Sequence, residues 1–402
     1  MAEPSTDSDP MEPIYHEIDP NGDVLLIVRE YDVTSFAVWD DDVETQLPNF
    51  TPKTPVPDLA TSMSTMRFNS GRKNVFGDPL PRSSPPELEP VEQAPIENGK
   101  LSPANNGDTA PTGPEVQMVV SSGALIIASN YFKAALQGNF EEGKIHSPST
   151  DGPKYHQIIA KEWDPSAMLI LMNILHHRTR SVPRSIDLEM LAKIAVLVDY
   201  YGCAEAVEVF SDMWVDNLQG SLPKQYCREL VMWLWVAFTF EKKKLFEEVT
   251  EVAVLQSRGV IQVMGLPIPG SVIHSIDHKR LVALRMYLQF LEEFMNGIDN
   301  NQQICSFECR SLLTGCLRLE MERCRLSPPP KAPFLGLGFA QVAELARGMR
   351  SPSWPHCKNR CAKAVGRIFP CLKRVDTIGG VKLEKFKGAS GGGLSDKRAL
   401  GS

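Results

Sequence analysis

The residues of this sequence whose types and spacing could do chemistry are two pairs of histidines and a series of cysteines. The first pair, His176 and His177, ends an apolar run and is followed by Arg178 and Arg180. Cationic side chains at the C-terminus of a helix face the partial negative charge of its last carbonyl groups. No carboxylate or cysteine stands beside these histidines to orient or use an imidazole. The pattern therefore favours helix-end stabilisation over catalysis or metal binding.

The second pair, His274 and His278, has the i, i+4 spacing with which two imidazoles on one helix face bind a metal ion. The preceding residues, LPIPGSV, are typical of a loop, and Ser275 or Asp277 is a suitable N-cap for the helix that follows. His274 would then precede the helix, and the two rings would not share a face. We therefore expect no metal site here.

The cysteines follow a helical spacing in one part of the chain. Cys305, Cys309 and Cys316 are separated by four and seven residues, which places them along one side of a helix. The cysteines beyond them are Cys324, Cys357, Cys361 and Cys371. Structural zinc sites usually take two thiolates from a C-x2-C knuckle, which this sequence lacks. The spacing favours a buried apolar stripe, with a metal cluster as the alternative.

No catalytic motif is recognisable in the sequence. It contains no phosphate-binding loop, dinucleotide fingerprint or G-x-S-x-G turn, and GASGGG neither follows a predicted strand nor precedes a predicted helix. No nucleophile, base and oxyanion donor come together in one pattern. We therefore expect a protein that is not an enzyme, with no catalytic, metal or cofactor-binding residues and no small-molecule substrate.

Composition is that of an ordinary globular protein, but charge is uneven along the chain. The 402 residues are 43% hydrophobic and 23% charged, and the net charge of -7 argues against wholesale nucleic-acid binding. Residues 1–49 carry 13 acidic residues against one basic, and residues 347–388 carry 11 basic against two acidic. The N-terminus lacks a basic and apolar leader, and the nine cysteines are an odd number. These features predict reduced thiols in the cytoplasm or nucleus and no membrane association.

Local patterns predict the elements of the first half. Short apolar segments predict strands at 23–30, 116–122 and 155–160. Asp164 is a natural N-cap with Pro165 in the first helical position, Asp187 opens the next helix and Gly202 ends it. The predicted inner faces of three helices are Met168, Leu171, Met172 and Leu175; Leu191, Ile194, Ala195 and Val198; and Ala206, Val209, Phe210, Met213 and Trp214.

The second half is predicted to be helical from about Pro223 to Leu326. The run LVMWLWVAFTF is too short to span a bilayer, which needs ~20 residues, and Glu229 and Glu241 bracket it as a buried helix. A further stripe, ended by Gly297, consists of Leu281, Leu284, Leu288, Leu291 and Met295. The basic tail carries an amphipathic pattern at Val365, Ile368, Phe369 and Leu372. This pattern favours a solvated basic face over a nucleic-acid site.

Three stretches of the sequence carry a resemblance to a known family. They are NGDVLLIV (21–28), VSSGALIIASNYFKAAL (120–136) and WDPSAMLILMNILHHRTRSVPRSIDLEMLAKIAVLVDYYGC (163–203), and the match continues through AVEVFSDMW, PFLGLGFAQVAEL and SPSW. In this order of strands and helices the chain resembles BTB/POZ domains, and in particular fungal BTB proteins. The resemblance implies an α+β fold: a small mixed sheet capped by helices, followed here by an all-helical C-terminal region. Such domains serve self-association and protein binding.

One short motif gains meaning from this resemblance. Relatives that recruit cullin-RING ubiquitin ligases often carry a bulky apolar residue, any residue, then Glu after the helical hairpin. Phe140 and Glu142 in QGNFEEGK fit that pattern. An apolar side chain could fill a pocket of the cullin while the carboxylate makes a contact at the rim. The alternative is a solvated turn, because such a triplet arises readily by chance.

These patterns divide the chain into five parts. We expect a disordered acidic N-terminus at 1–17 and a BTB/POZ domain at 18–219 with a disordered insertion at about 34–114. A helical extension at 220–326, a Pro-rich break with a basic helical segment at 327–388, and a flexible tail at 389–402 follow. MAEPSTDSDP is not a strand pattern, so the N-terminal strand that some relatives exchange between subunits is not predicted.

The function predicted from the sequence is that of a non-enzymatic interaction module. We expect it to form a homodimer and to act as a substrate adaptor that links an unknown client protein to a cullin. The alternative is a nuclear scaffold or transcription-related regulator whose basic tail contacts nucleic acid.

Overall fold

A computed structural model describes residues 12–29, 36–48, 50–52, 114–138, 145–146, 154–298, 306–350 and 378–387. The chain has a mixed α/β fold, with one small sheet and a larger set of helices. This confirms the predicted fold class in its coarse form. Among the described residues after Leu218, every regular element is helical.

The sheet has five strands in the order β1-β3-β2-β5-β4. They are β1 (Ile14–Glu17), β2 (Val24–Arg29), β3 (Val116–Val120), β4 (Ile145–His146) and β5 (Tyr155–Lys161). β2 runs antiparallel to β3 and parallel to β5, and β1 pairs in parallel with β3. The three predicted strands are confirmed. β1 was missed, and it lies in the segment predicted to be disordered.

Eleven α-helices are found in the described part of the chain. They are α1 (Asp41–Thr45), α2 (Ser122–Ala128), α3 (Asn130–Gln137), α4 (Pro165–Leu175), α5 (Leu188–Tyr201), α6 (Ala204–Leu218), α7 (Arg228–Thr239), α8 (Lys243–Gln256), α9 (Gly270–Gly297), α10 (Phe307–Arg323) and α11 (Phe339–Arg347). Two 3-10 turns lie at Gln219–Ser221 and Leu383–Lys385.

Side-chain caps fix where two of these helices begin. The carboxylate of Asp164 accepts from the Ala167 amide at 2.9 Å, and that of Asp187 accepts from the Met190 amide at 2.7 Å. Gly202 ends α5 in the left-handed region at φ 63°, where a side chain would add strain. These predictions from the sequence are confirmed.

The predicted inner face of α6 is partly wrong. Val209 is 78% exposed and Ala206 is also exposed. The helix is rotated relative to the prediction, and it buries Val207, Ser211, Trp214 and Val215. The Trp214 indole donates to the Pro183 carbonyl at 2.9 Å, and this contact helps to fix the rotation. Apolar periodicity alone could not choose between two overlapping stripes.

Helix α7 is buried along its length. Every residue from Leu230 to Thr239 is buried, including Trp233 and Trp235 at 0% exposure. It packs against α5 on one side and α8 on the other. One continuous apolar core therefore reaches from β2 to the start of α9, and it joins the sheet-containing half to the helical half.

Part of the segment predicted to be a disordered insertion is an ordered strap, which we define as residues 36–48. Arg228 donates to the Phe36 and Ala37 carbonyls at 2.7 and 2.8 Å. Trp39 meets Tyr226 edge to face, with ring centroids 5.2 Å apart. The strap is ordered because Ala37 is buried, Phe36 and Trp39 pack against the core, and its carbonyls gain a cationic donor.

Replacement of Trp235 by alanine should lower the free energy of unfolding by about 3–5 kcal/mol, because it opens a large cavity in the shared core. Urea unfolding followed by circular dichroism measures the change. Val209→Ala, at a site that is 78% exposed, is the control and should shift stability by less than ~0.5 kcal/mol. A small effect at Trp235 would contradict the central position of α7.

Candidate functional site

The first histidine pair marks a junction between α4 and the sheet. The His176 ring accepts the Ser121 backbone N–H through Nε2 at 2.8 Å. Its Nδ1 lies 2.8 Å from the Met172 carbonyl, so Nδ1 carries the proton and donates. Burial lowers the pKa of the His176 imidazole, and it does so against the opposing effect of the Met172 hydrogen bond. The folded structure therefore favours the neutral form of the His176 ring.

Arg178, close to this histidine pair, joins the end of α4 to β1. Arg178 donates to the Glu17 and Ile18 carbonyls at 2.7 and 2.9 Å, and so it holds the end of β1. These hydrogen bonds differ from the predicted helix-end electrostatics, because they join α4 to β1 and to the residue after β3. The sequence could not identify partners that lie about 160 positions away.

Acidification should destabilise the fold through His176. Its pKa is lower in the folded state than the ordinary 6.5, so the unfolded chain binds more protons between the two values. The contribution of His176 to the free energy of unfolding is fully present above about pH 6.5. It decreases as the pH falls through that value toward the folded pKa. Urea midpoints from pH 7.5 to 5 measure this loss.

Two variants isolate that contribution. His176→Gln should weaken the pH dependence over this range, because the titrating group is gone. His177→Asn is the matched control, because His177 is exposed, has φ of 56°, and asparagine tolerates this conformation. An unchanged pH profile in His176→Gln would refute the assignment.

The prediction for the second histidine pair is wrong in its structural part. α9 begins at Gly270, so His274 and His278 are both helical, and their ring centroids are 6.3 Å apart. The helix starts early because Pro269 precedes its first turn, where a missing N–H costs no hydrogen bond. Asp277 is not a cap, since its carboxylate pairs with Arg280 at 2.8 Å. Within the described ranges, no three histidine, cysteine or acidic residues are grouped as a metal site.

The described cysteines in and just after α10 differ in burial. Cys309 is buried with Leu313 and Leu317, and Cys324 is buried in a neighbouring cluster. Burial raises the pKa of the Cys316 and Cys324 thiols, which favours the protonated form. The prediction of a buried stripe is confirmed for Cys309 but not for Cys316, which is partly exposed and donates to the Arg350 carbonyl at 3.4 Å. Cys305, Cys357, Cys361 and Cys371 lie outside the described residues.

The cullin-contact residues predicted from the sequence, Phe140 and Glu142, also lie outside the described residues. The described chain before them ends at Gly138, just after α3.

An aromatic cluster lies at the start of α3, at the other end of this helix from Gly138, and we define it as Tyr131, Phe132, Trp163, Tyr200 and Tyr201. Tyr131 and Tyr200 are 41% and 40% exposed, and their ring centroids are 5.2 Å apart. Trp163 lies 5.0 Å from Tyr200. Beneath them Phe132 stacks on the buried Tyr201 at 4.6 Å. The cluster is a rigid, partly exposed surface of large side chains.

Sequence reasoning missed this cluster. The signals were NYF at 130–132 and DYY at 199–201, two aromatic pairs in separate helices. Their positions on α3 and α5 become adjacent only through packing, which the Ser129 hydroxyl supports by donating to the Tyr201 carbonyl at 2.5 Å.

Several described cations of the basic tail are engaged within the chain. Arg350 pairs with the buried Glu320 at 2.6 Å, and Lys387 pairs with Glu241 at 3.0 Å. Arg347 pairs with Glu344. Three of the cations counted toward a nucleic-acid surface therefore have carboxylate partners. Trp354, Val365, Ile368, Phe369 and Leu372 lie outside the described residues.

Comparisons give this chain no relative: no protein-family model, curated protein or solved structure matches it. Among the described helices, none combines the length and the apolar character needed to cross a membrane.

Proposed function

We propose that this chain is a non-enzymatic protein-interaction module of the BTB/POZ type. The order of strands and helices in its first half supports this proposal. An antiparallel pair β2–β3 is followed by the helical pair α2–α3, a strand β5 parallel to β2, and the three helices α4 to α6. This is the order that the sequence resemblance implies for the domain. The observation that carries the proposal is the aromatic cluster on α3 and α5.

The aromatic cluster has the properties of a binding surface. Tyrosine and tryptophan are enriched among residues that dominate interface energies, because they bury a large area with few rotatable bonds. The hydroxyl groups of Tyr131 and Tyr200 lie 3.4 Å apart, and Trp163 borders them. Their mutual contacts fix the rings before a partner arrives, which lowers the entropic cost of binding.

The proposed role is that of a ubiquitin-ligase adaptor. Phe140 and Glu142 would contact the N-terminal domain of a cullin, and the aromatic cluster at the start of α3 would provide a second contact surface. The client would be held by the region from α7 to α10 or by the tail. Ubiquitin transfer would be carried out by another subunit of the ligase.

Calorimetric titration with a cullin N-terminal domain tests the adaptor role. Wild-type chain should bind with micromolar or tighter affinity. Phe140→Ala, Glu142→Arg and Tyr131→Ala should each weaken binding at least ~10-fold, which corresponds to about 1.4 kcal/mol. Val209→Ala, on the exposed face of α6, is the control and should bind normally.

Circular dichroism must show that each variant remains folded. Absence of binding by the wild-type chain would reject the adaptor role and leave a self-associating scaffold. Full binding by all three variants would reject the proposed contact surface.

Self-association is the second part of the proposal. Ile127 on α2 is 89% exposed, so its side chain is accessible to a second copy of the chain. We expect the wild-type chain to sediment as a dimer and Ile127→Asp to shift the equilibrium toward monomer at least ~10-fold, because a charge would be buried without a partner. A wild-type monomer at all concentrations would refute self-association.

A further inference from the structure

A groove of about 980 Å³ lies between α9, the start of α11 and the segment Ile378–Lys385. One wall is a second apolar stripe of α9, formed by Val282, Met286 and Phe290 at successive i, i+4 positions. Val282 and Met286 are 37% and 62% exposed, so this stripe is not used by the core. The groove is thus an apolar surface outside the aromatic cluster and its proposed partner contacts.

The opposite wall is the segment 378–385, which contacts pin to α9. Lys279 donates to the Gly379 and Gly380 carbonyls at 2.9 and 2.5 Å, and Lys385 donates to the Ser275 hydroxyl at 3.1 Å. A Cβ at Gly380 would lie 1.8 Å from the Glu247 carbonyl oxygen, so only glycine permits this approach to α8. The groove therefore has two fixed walls.

Charge is concentrated at one end of the groove. Its described lining residues include the cations Lys279, Lys382 and Lys385, together with His278, and they cluster where the segment 378–385 crosses α9. Among the described lining residues, Glu247 is the one acidic side chain. The excess of positive charge selects an anionic group at that end, while the far end offers apolar side chains.

We propose that the groove binds a small amphipathic anion, an aliphatic chain that ends in a single carboxylate. The carboxylate lies at the lysine end, and the chain follows the α9 stripe toward Phe290. From His278 to Phe290 the helix advances about 18 Å, which suits an extended long-chain ligand. The volume falls within the range of roughly 300–1,000 Å³ that is typical of small-molecule sites. This ligand is separate from the protein partners proposed above.

Isothermal titration of the purified full chain with dodecanoate, below its micelle concentration, tests the proposal. Dodecyltrimethylammonium has the same chain with the opposite charge and is the ligand control. We expect saturable, one-to-one binding of dodecanoate and at least ~10-fold weaker binding of the cationic surfactant. Equal binding of both, or no binding of dodecanoate, would overturn the proposal.

Three variants locate the site on the molecule. Met286→Glu places a negative charge on the apolar wall and should abolish dodecanoate binding, and Lys382→Glu should weaken it at least ~10-fold. Both residues are exposed, so the fold should survive. Val209→Glu is the control for a charge added at an exposed apolar position and should leave affinity unchanged.

The variant pattern decides the outcome. Loss of binding in Val209→Glu, or full binding in Met286→Glu, would place the ligand elsewhere and overturn the proposal. Binding of an acidic amphipathic peptide that is lost in Met286→Glu, without any binding of dodecanoate, would show that the groove takes a protein segment instead, which also overturns the proposal.

Discussion

The burial of α7 is the constraint on which the rest of this structure depends. A helix with no polar face cannot stand at a surface, so its neighbours must enclose it. α5 covers one side and α8 the other, and through them the sheet and the C-terminal helices share one apolar core. The helical extension is therefore no separate appendage. It completes the core of the first half, and the aromatic cluster on α5 rests on that core.

Segments without regular structure are held to this core by two arginines, of which Arg280 is buried and Arg228 is partly exposed. Arg280 is 0% exposed, and it donates to Asp277 and to the Pro333, Phe334 and Leu337 carbonyls. Burial of a guanidinium is costly unless its donors are satisfied, so these contacts fix the chain that leads into α11. Arg228 holds the strap in a similar way, through two carbonyls and Glu189. The groove and the aromatic cluster therefore lie on positioned walls.

Local signals in the sequence predicted the helices and strands better than the contacts between them. Asp164, Asp187 and Gly202 are caps whose effect is confined to one helical turn, and all three predictions hold. β1 and the ordered strap were missed because each depends on a distant partner, Arg178 for β1 and Arg228 for the strap. The aromatic cluster was missed for the same reason, since α3 and α5 meet only after folding. The start of α9 was missed although its signal, Pro269, is local. Phe140 and Glu142 remain predictions, because they lie outside the described residues.

Hydrogen exchange of the native chain in low denaturant tests most directly whether one core unites the two halves. Mass spectrometry of peptides from α5 and α7 gives the free energy of opening for each helix. The shared core predicts that both helices open with the same free energy, equal to that of global unfolding. Exchange of α5 at a clearly lower free energy than α7 would show that the halves unfold separately, and would contradict this account.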